Sequence, residues 1–507
     1  MCTFGMLPLI MYWAVNLGQV RAEEAYKPFL ITVVSVWLLF HIFLPLLRSL
    51  AKTSLLMLLL IFVFFTYGHL AMVLPEGSLL AAPRLFIIYS LLFLSGTFLI
   101  FRTKLIPESV ITYFQFLTMF LLIFNIVKIL EFDPRYKVID EIQPIAITGF
   151  ATLNTLPDVY YIVLDAYARD DVLKEVYDLD NSDFINELRS RGFYIPDCAM
   201  SNYEHTMQTI PSVLNMNYLG SLGITDRDLS SFKSPIINLT LNNQVSKTFQ
   251  AMGYQFVTAR GWAAFNDITD SDIYLNYYYS IGEPDLLAEK TFGYNFWNTT
   301  LIHAYSDLSP DMVAKAAEAN QPGHHVDLLN MGLEYEKSIF WYNQTKYVFQ
   351  SLKELPQSSG GPYLVYAHIN SPHGPYVFNQ DGSFRFAPDL NYETTYYGET
   401  IQPLNEMVLD MIDTVIANSD IPPVIVLQAD HGTHYFTNGI NKHKILSAYY
   451  LPGDIDLIPY STITPVNNFR LILHDYFDPS IILLPDVLYV MGEDGYQSIP
   501  ASCNITP

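Results

Sequence analysis

The feature that most constrains this chain is a series of long apolar stretches within its first 131 residues. Residues 28–47 read PFLITVVSVWLLFHIFLPLL and contain no Lys, Arg, Asp or Glu. A helix needs about 20 such residues to cross the hydrocarbon core of a bilayer. Similar stretches lie at about residues 4–20, 54–74, 85–101 and 110–130. The sequence therefore predicts a membrane domain over residues 1–131, with about five transmembrane helices in the lipid bilayer.

The first apolar stretch has a second interpretation. Residues 4–20 read FGMLPLIMYWAVNLGQV, and a segment of this kind at a chain start can be an uncleaved signal sequence. It has no basic n-region and no obvious cleavage site of small residues. We therefore interpret it as a transmembrane helix.

The short loops between the apolar stretches predict which way the chain crosses the membrane. Arg48 and Lys52 lie between the second and third stretches, and Arg102 and Lys104 lie between the fourth and fifth. Short loops rich in Lys and Arg stay on the cytoplasmic side. We expect everything after Glu131 to lie on the opposite side, so that the protein is a multi-pass membrane protein with an extracytoplasmic domain.

The charge of the chain is distributed very unevenly. Only four of the 50 acidic and eight of the 27 basic residues precede Glu131, so the rest of the chain carries a net charge of −27. A surface of this sign repels the phosphates of nucleic acids. The sequence thus predicts a well-hydrated acidic domain with no nucleic-acid partner.

The composition also suggests domain boundaries. We predict a connector over residues 132–155, a catalytic domain over residues 156–492 and a C-terminal tail over residues 493–507. Three cysteines are present, Cys2, Cys198 and Cys503, without the spacing of a metal or redox motif. Cys198 and Cys503 could pair outside the cytosol, but nothing in the sequence requires it, and we expect free thiols.

Four β-rich apolar runs occur in the acidic part. They read VYYIVL at residues 159–164, YQFVTA at 254–259, PYLVYAHI at 362–369 and PPVIVLQAD at 422–430. Continuous apolar runs are typical of strands buried on both faces of a parallel sheet. Helical patterns such as DFINELRSRGF separate them. This alternation predicts an α/β fold with a mostly parallel sheet.

Three of these runs end in possible metal ligands. Asp165 follows the first, His368 and His373 lie at the end of the third, and Asp430 and His431 follow the fourth. Ligands in such folds bind at the carboxyl ends of the strands. Carboxylates mixed with imidazoles suit zinc or manganese, and suit calcium less well. We predict a divalent metal site that includes Asp165, Asp430 and His431 and leaves one position open for chemistry.

A nucleophile for such a site is suggested by the stretch MSNYEHTMQTIPSVLNM, residues 200–216. A helix is predicted to begin near Thr206, where unpaired backbone N–H groups and the helix dipole would stabilise an alkoxide. An ordinary threonine N-cap explains the same pattern. Ser201, Thr209 and Ser212 are rival hydroxyls.

The order of these features resembles the sulfatase-like branch of the alkaline phosphatase superfamily. The resemblance rests on the strand ending in Asp165, on Thr206 at a helix start, on HINSPHGPY from residue 368 and on DHG from residue 430. It covers roughly residues 155–490. Within this branch, the arrangement is similar to membrane-anchored phosphoethanolamine and lipoteichoic-acid phosphoglycerol transferases, and to uncharacterised membrane sulfatase-like proteins. The resemblance implies an α/β/α sandwich behind a helical membrane domain.

The resemblance also implies roles for individual residues. Thr206 would be both the nucleophile and a metal ligand, and the ligands Asp165, Asp430 and His431 would complete the primary site. His373 and His443 would assist catalysis by binding phosphate oxygens or a second metal. His368 could join them, although a structural hydrogen bond explains it equally well. Tyr203, His205 and His434 are suggested only by proximity.

The implied function is a metal-dependent transferase or hydrolase that acts on phosphoesters through a covalent threonine intermediate. A lipid head-group phosphoryl moiety would pass to an envelope glycan or lipid. The segment TMQTI lacks the Cys or Ser and the x-Pro-x-Arg of formylglycine sulfatases, and Asp165 stands where many of these transferases have Glu. Two alternatives stay open: a sulfuric-ester or phosphoester hydrolase without formylglycine, and a catalytically silent membrane protein that only binds.

Overall fold

The computed structural model describes most of the chain, and its contacts divide it into two compact units. The first unit comprises Met1–Asp133 and Asp285–Glu336, and the second comprises Pro134–Pro284 and Lys337–Pro507. The described residues are 2–15, 26–74, 84–104, 108–131, 142–147, 156–224, 234–263, 265–283, 296–302, 304, 328–386, 393–433, 439–492 and 495–503. The division differs from the expected boundaries, which placed residues 285–336 in the catalytic domain.

The first unit is built from apolar helices. They are α1 Cys2–Val15, α2 Tyr26–Leu47, α3 Leu50–Val73, α4 Arg84–Arg102 and α5 Glu108–Glu131. Within the described residues, the four from α2 to α5 contain segments long and apolar enough to cross a membrane. Helix α1 has 14 residues, or about 21 Å at 1.5 Å per residue, which is less than the ~30 Å of a bilayer core. The first expected span, residues 4–20, extends into residues 16–20, which lie outside the described residues, so the count of about five spans stays a prediction.

A segment far along the chain belongs to this first unit because it packs on α3. The backbone N–H of Leu301 donates to the carbonyl of Phe64 over 2.6 Å, and the N–H of His69 donates to the carbonyl of Thr299 over 3.2 Å. Gly68 permits this approach, since a Cβ there would lie 2.3 Å from the carbonyl oxygen of Asn298. These backbone pairings have no periodic sequence signal.

The second unit contains a six-stranded sheet. Its strands are β1 Val159–Leu164, β2 Gln255–Ala259, β3 Ile273–Leu275, β4 Tyr363–Ile369, β5 Val424–Gln428 and β6 Ser447–Tyr450. The order is β3-β2-β4-β1-β5-β6, with parallel pairing throughout except between β5 and β6. All four expected strands are present. Strand β1 lies between β4 and β5, and these three carry the predicted ligands.

Helices cover both faces of the sheet. The described helices of this part of the chain are α6 Asp170–Tyr177, α7 Ser182–Ser190, α8 Thr206–Leu214, α9 Ser234–Leu241, α10 Gln244–Ala251, α11 Tyr277–Ser280, α12 Leu328–Glu354, α13 Glu393–Asn418 and α14 Asn468–Tyr476. Tyr160, Ile162 and Leu164 of β1 face a core shared with α6, α7, α13 and the end of α12. The alternate β1 residues face α8, α10 and α14. The predicted α/β/α sandwich with a mostly parallel sheet is confirmed.

The end of the chain bears on two expectations. Strands β7 Val487–Gly492 and β8 Gly495–Pro500 pair as an antiparallel C-terminal hairpin, with one strand on each side of the expected boundary at residue 492. Cys198 and Cys503 form a disulfide, with Cα atoms 5.0 Å apart, instead of the expected free thiols. The folded chain brings together two cysteines 305 residues apart, and their sequence spacing gives no sign of this.

Candidate metal centre

The predicted ligands converge at the carboxyl end of the central strands. Asp165 immediately follows β1, His368 is the sixth of the seven residues of β4, and Asp430 comes two residues after β5. Because these strands are adjacent and parallel, their ends meet at one edge of the sheet. Asp165 and Asp430 are fully buried, and His431 is 2% exposed.

Asp165, Asp430 and His431 form a group that could hold a cation. Each offers one ligand atom, and the three atoms lie within 4.8 Å of one another. Within the described part of the chain, Oδ1 of Asp165 and Oδ2 of Asp430 have no hydrogen-bond partner. His431 Nε2 lies 3.4 Å and 3.6 Å from them, too distant for a good hydrogen bond. Two buried carboxylate oxygens without donors are costly unless a cation satisfies them.

The ring of His431 is oriented by its own backbone turn. Its Nδ1 donates to the carbonyl of Gly432 over 2.8 Å, so Nε2 faces the two carboxylates and presents a lone pair to a cation once its proton has left. A Cβ at position 432 would lie 2.5 Å from the carbonyl oxygen of Asn441, so this turn requires glycine. Burial opposes the charged imidazole, but Asp430 and Asp165 outweigh it and raise the pKa of His431 to about 9.

The second oxygen of Asp165 is held by two N–H donors. His368 Nε2 lies 3.2 Å from Oδ2, and Trp262 Nε1 donates to the same oxygen over 3.1 Å. His368 Nδ1 is 3.2 Å from the hydroxyl of Tyr366. Burial disfavours the charge of Asp165, but the neighbouring imidazoles, that of His373 first, hold its pKa well below the usual range.

The turn after β1 connects Asp165 to Asp430. The N–H of Ala166 donates to Oδ1 of Asp430 over 3.1 Å. Ala166 has φ +61°, a left-handed conformation that costs a residue with a Cβ about 1–2 kcal/mol. The N–H of His373 in turn donates to the backbone carbonyl of Asp165 over 3.1 Å. The strained turn thereby orients both carboxylates.

Thr206 is the first residue of α8 and is 4% exposed. The preceding residue, His205, is the N-cap, and its ring centroid lies 6.4 Å from that of His431. Burial and the nearby His431 lower the pKa of His205. The helix start that carries Thr206 thus lies beside the cluster. Tyr203 stacks on Tyr489 of the hairpin, with ring centroids 5.0 Å apart, and so has a packing role.

His443 ends a 3₁₀ helix, Gly439–His443, and is completely buried. Its Nδ1 donates to the carbonyl of Ser201 over 2.8 Å, and the N–H of Ser201 donates back to the carbonyl of His443 over 2.7 Å. Within the described residues, its Nε2 has no hydrogen-bond partner, although Oε1 of Glu204 lies 3.6 Å away. Burial disfavours the charge of Glu204, but His443 outweighs it and lowers the pKa of that carboxyl.

His373 lies at the rim of the cluster. It is half-buried, and its Nδ1 donates to the carbonyl of Gly374 over 2.8 Å. Its ring stacks on Trp262 with an interplanar angle of 14° and centroids 6.2 Å apart, and it lies 6.3 Å from the ring of His431. His434 lies outside the described residues.

Two residues of this region were missed by the sequence analysis. Trp262 comes three residues after β2, so the rule that placed ligands at strand ends would have found it if it had been applied to β2 as well. Glu204 lies two residues before Thr206, and its approach to His443 depends on a contact between distant parts of the chain. No local pattern indicates that contact.

The donor set fits a divalent cation. Two carboxylate oxygens and one imidazole nitrogen match the preferences of zinc and manganese, and leave coordination positions for a hydroxyl and a substrate. Calcium requires six to eight oxygen ligands, which these residues do not supply.

The chain is similar to known proteins only through solved structures. No family model matches the chain, and no curated protein does. Lipooligosaccharide phosphoethanolamine transferase A from Neisseria meningitidis is similar at 12% identity with a TM-score of 0.41, covering 92% of this chain and 94% of that one. The zinc complex of the C-terminal periplasmic domain of EcEptC from Escherichia coli is 10% identical, with a TM-score of 0.40, over 69% and 94%. The putative sulfatase yidJ from Bacteroides fragilis is 15% identical, with a TM-score of 0.35, over 65% and 77%.

Proposed function

We propose that this chain is a metal-dependent phosphoester transferase or hydrolase of the sulfatase-like type, with Thr206 as its nucleophile. The observation that carries the proposal is the cluster of Asp165, Asp430 and His431. Two of its buried carboxylate oxygens lack donors within the described residues, and all three ligand atoms lie within 4.8 Å of one another. The cluster lies beside the N-terminus of α8, the position where a hydroxyl nucleophile is best stabilised.

The reaction proceeds in two displacements. The Oγ of Thr206 attacks phosphorus, its proton passes to an imidazole of the site, and the bond from phosphorus to the leaving oxygen breaks. The leaving oxygen takes a proton from an imidazolium, and a phosphothreonine remains. A glycan or lipid hydroxyl, or water, then attacks phosphorus and gives its proton to an imidazole. The bond from phosphorus to the Oγ of Thr206 breaks, and that oxygen takes a proton from an imidazolium, which restores Thr206. A divalent cation held by Asp165, Asp430 and His431 would supply positive charge that favours the alkoxide and the negative charge of the transition state.

His443 and His373 are assigned to the phosphate oxygens and to proton transfer. His443 is buried with Nε2 unsatisfied among the described residues, so it has a nitrogen available for a substrate oxygen. His373 lies half-buried at the rim, where a leaving group would depart. Imidazoles in such positions typically contribute 10²–10⁴-fold to rate. His368 is assigned to positioning, because its Nε2 donates to Asp165.

We place the catalytic domain on the extracytoplasmic side. It comprises residues 156–492, without the segment that packs on α3. The basic loops before α3 and before α5 put the start of α5 in the cytoplasm whether or not α1 crosses the membrane. The contacts of Thr299 and Leu301 with the C-terminal end of α3 support this, because α3 also starts on the cytoplasmic side. A lipid-borne phosphoryl donor and an envelope glycan or lipid acceptor suit this location.

The test uses the full chain purified in detergent, as wild type, Thr206→Ala and Thr209→Ala. Metal content, hydrolysis of a chromogenic phosphodiester and hydrolysis of a chromogenic sulfate ester are measured on the same samples. We expect zinc or manganese near one equivalent in all three proteins. We expect phosphodiester turnover to fall by 10³-fold or more in Thr206→Ala only, since Thr209 is the matched buried hydroxyl one turn away.

Three outcomes would contradict the proposal. Wild type without bound metal would favour a domain that only binds. Turnover of the sulfate ester alone would favour a sulfuric-ester hydrolase. An equal loss of phosphodiester turnover in Thr209→Ala would contradict the assignment of Thr206 as the nucleophile.

A further inference from the structure

Trp262 is connected to the metal cluster through its indole N–H. Its Nε1 donates to Oδ2 of Asp165 over 3.1 Å. His368 Nε2 lies 3.2 Å from the same oxygen. The two donors occupy Oδ2, so the carboxylate plane is set and Oδ1 is the oxygen directed at Asp430 and His431. Partners that orient a ligand in this way typically change metal affinity 10–100-fold when they are removed.

The faces of the Trp262 ring make a second set of contacts. The ring of His373 stacks on the indole with an interplanar angle of 14°, and Phe265 meets it edge to face with centroids 4.9 Å apart. Phe265 is buried, whereas Trp262 is 40% exposed. Part of the Trp262 ring therefore faces solvent, and the rest packs against Phe265 and His373. The indole is held at its N–H by Asp165, and its face lies against His373 at the edge of the metal cluster.

We infer that Trp262 is a positioning residue that couples the metal centre to its rim. Its N–H orients the ligand Asp165, and its face holds the ring of His373. The inference rests on the proposed function, because it assigns the cation to Asp165 and the substrate oxygens to His373. It predicts that the two tasks can be separated by substitution, since phenylalanine keeps an aromatic face but has no N–H.

The test compares Trp262→Phe and Trp262→Leu with the control Trp341→Phe in the full chain in detergent. Trp341 is the other tryptophan of the second unit, is 7% exposed, and packs against Arg260. Zinc affinity is measured by titration against a chelator, and tryptophan emission is recorded during the same titration. Phosphodiester kcat and KM are then measured at saturating zinc.

We expect zinc affinity to fall 10–100-fold in Trp262→Phe, with kcat at saturating zinc within about threefold of wild type. In Trp262→Leu we expect the same loss of affinity and a further fall in kcat, because His373 loses its support. Zinc binding should neutralise the carboxylate of Asp165, which accepts the indole N–H, and should thereby change the fluorescence emission of Trp262. That change should disappear in Trp262→Phe and persist in Trp341→Phe.

Wild-type zinc affinity in Trp262→Phe, or an emission change that depends on Trp341, would overturn the inference. A wild-type chain that binds zinc without phosphodiester turnover would overturn the catalytic part of the proposed function, while loss of affinity in Trp262→Phe would still support the positioning role. A wild-type chain without zinc binding would overturn both.

Discussion

Nε2 of His368 lies 3.2 Å from Oδ2 of Asp165, while the other ring nitrogen lies 3.2 Å from the hydroxyl of Tyr366. Because a carboxylate only accepts, Nε2 carries the proton, and Nδ1 is left to accept from the tyrosine. The N–H of His368 is thereby directed at Asp165, which the proposed function makes a metal ligand. The sequence alone left a structural hydrogen bond and a role in the site equally open for this residue. The structure shows the hydrogen bond, and the role in the site stays a proposal.

The first prediction concerns this hydrogen-bonded pair. We expect His368→Ala to weaken zinc binding 10–100-fold, because Asp165 loses one of two donors that orient it. Tyr366→Phe should weaken it less, since His368 keeps its bond to Asp165 and loses only its own support. Isothermal titration of the metal-free chain measures both. A larger effect for Tyr366→Phe than for His368→Ala would contradict this order.

The second prediction concerns the carboxylate of Asp430. Zinc at 100 times its dissociation constant should raise the free energy of unfolding of wild type by about 2.7 kcal/mol. Asp430→Asn should lose this increase, while in chelator its stability should stay within about 1 kcal/mol of wild type, because Asn keeps the acceptor for the N–H of Ala166. Asp171→Asn is the control, since Asp171 is 45% exposed and pairs with Arg169. Thermal melts with and without zinc measure this stabilisation. Asp171→Asn should retain it and Asp430→Asn should not.

The third prediction is a pH dependence of metal binding. In the metal-free protein the carboxylates raise the pKa of His431 to about 9, so this ring is protonated at neutral pH. A metal must displace that proton, and apparent zinc affinity should therefore rise about tenfold per pH unit below pH 9 and level off above it. Titrations in buffers of different ionisation enthalpy should show about one proton released from His431 at pH 7. Affinity that does not change between pH 7 and 8.5 would contradict the prediction.

The same raised pKa has a consequence for stability without metal. The folded pKa of His431 exceeds the ordinary value of about 6.5, so its contribution is complete below that value and is lost as pH rises towards 9. We expect the metal-free chain to lose stability over this interval. His431→Gln should flatten the profile, as measured by denaturant unfolding in the presence of chelator.

The fourth prediction concerns the disulfide between Cys198 and Cys503. The hairpin that it secures contacts the chain on both sides of Thr206: the N–H of Tyr489 donates to the carbonyl of Asn202 over 2.8 Å, and Gln208 donates to Tyr496 over 2.6 Å. We expect Cys503→Ser to reduce the free energy of unfolding by about 2–4 kcal/mol and to lower phosphodiester turnover. Cys2→Ser should change neither.

Thiol counting under denaturing conditions checks the bond itself. One free thiol in the wild type, rising to three after reduction, is the expected result. Three free thiols before reduction would show that the pair is not formed.

Much of the fold could be predicted from local patterns. The continuous apolar run of β1 predicted a strand buried on both faces, because a strand with one face in solvent would alternate apolar and polar residues. The spacing of DFINELRSRGF predicted the helix now seen as α7. The membrane helices α2 to α5 followed from their length and from how few charged residues they contain. The division of the chain at residues 285–336 could not be predicted, since it depends on backbone contacts with α3.

By itself, the sequence determined which residues could serve as ligands and at which strand ends they lie, because alternation and apolar runs are local properties of the chain. Only the tertiary structure decided that β1 lies between β4 and β5, and that ligand atoms of Asp165, Asp430 and His431 consequently lie within 4.8 Å of one another. It also decided that Trp262 and His368 occupy one oxygen of Asp165 and that Glu204 approaches His443. These are contacts between residues tens to hundreds of positions apart, and their geometry follows from how the helices and strands pack in three dimensions.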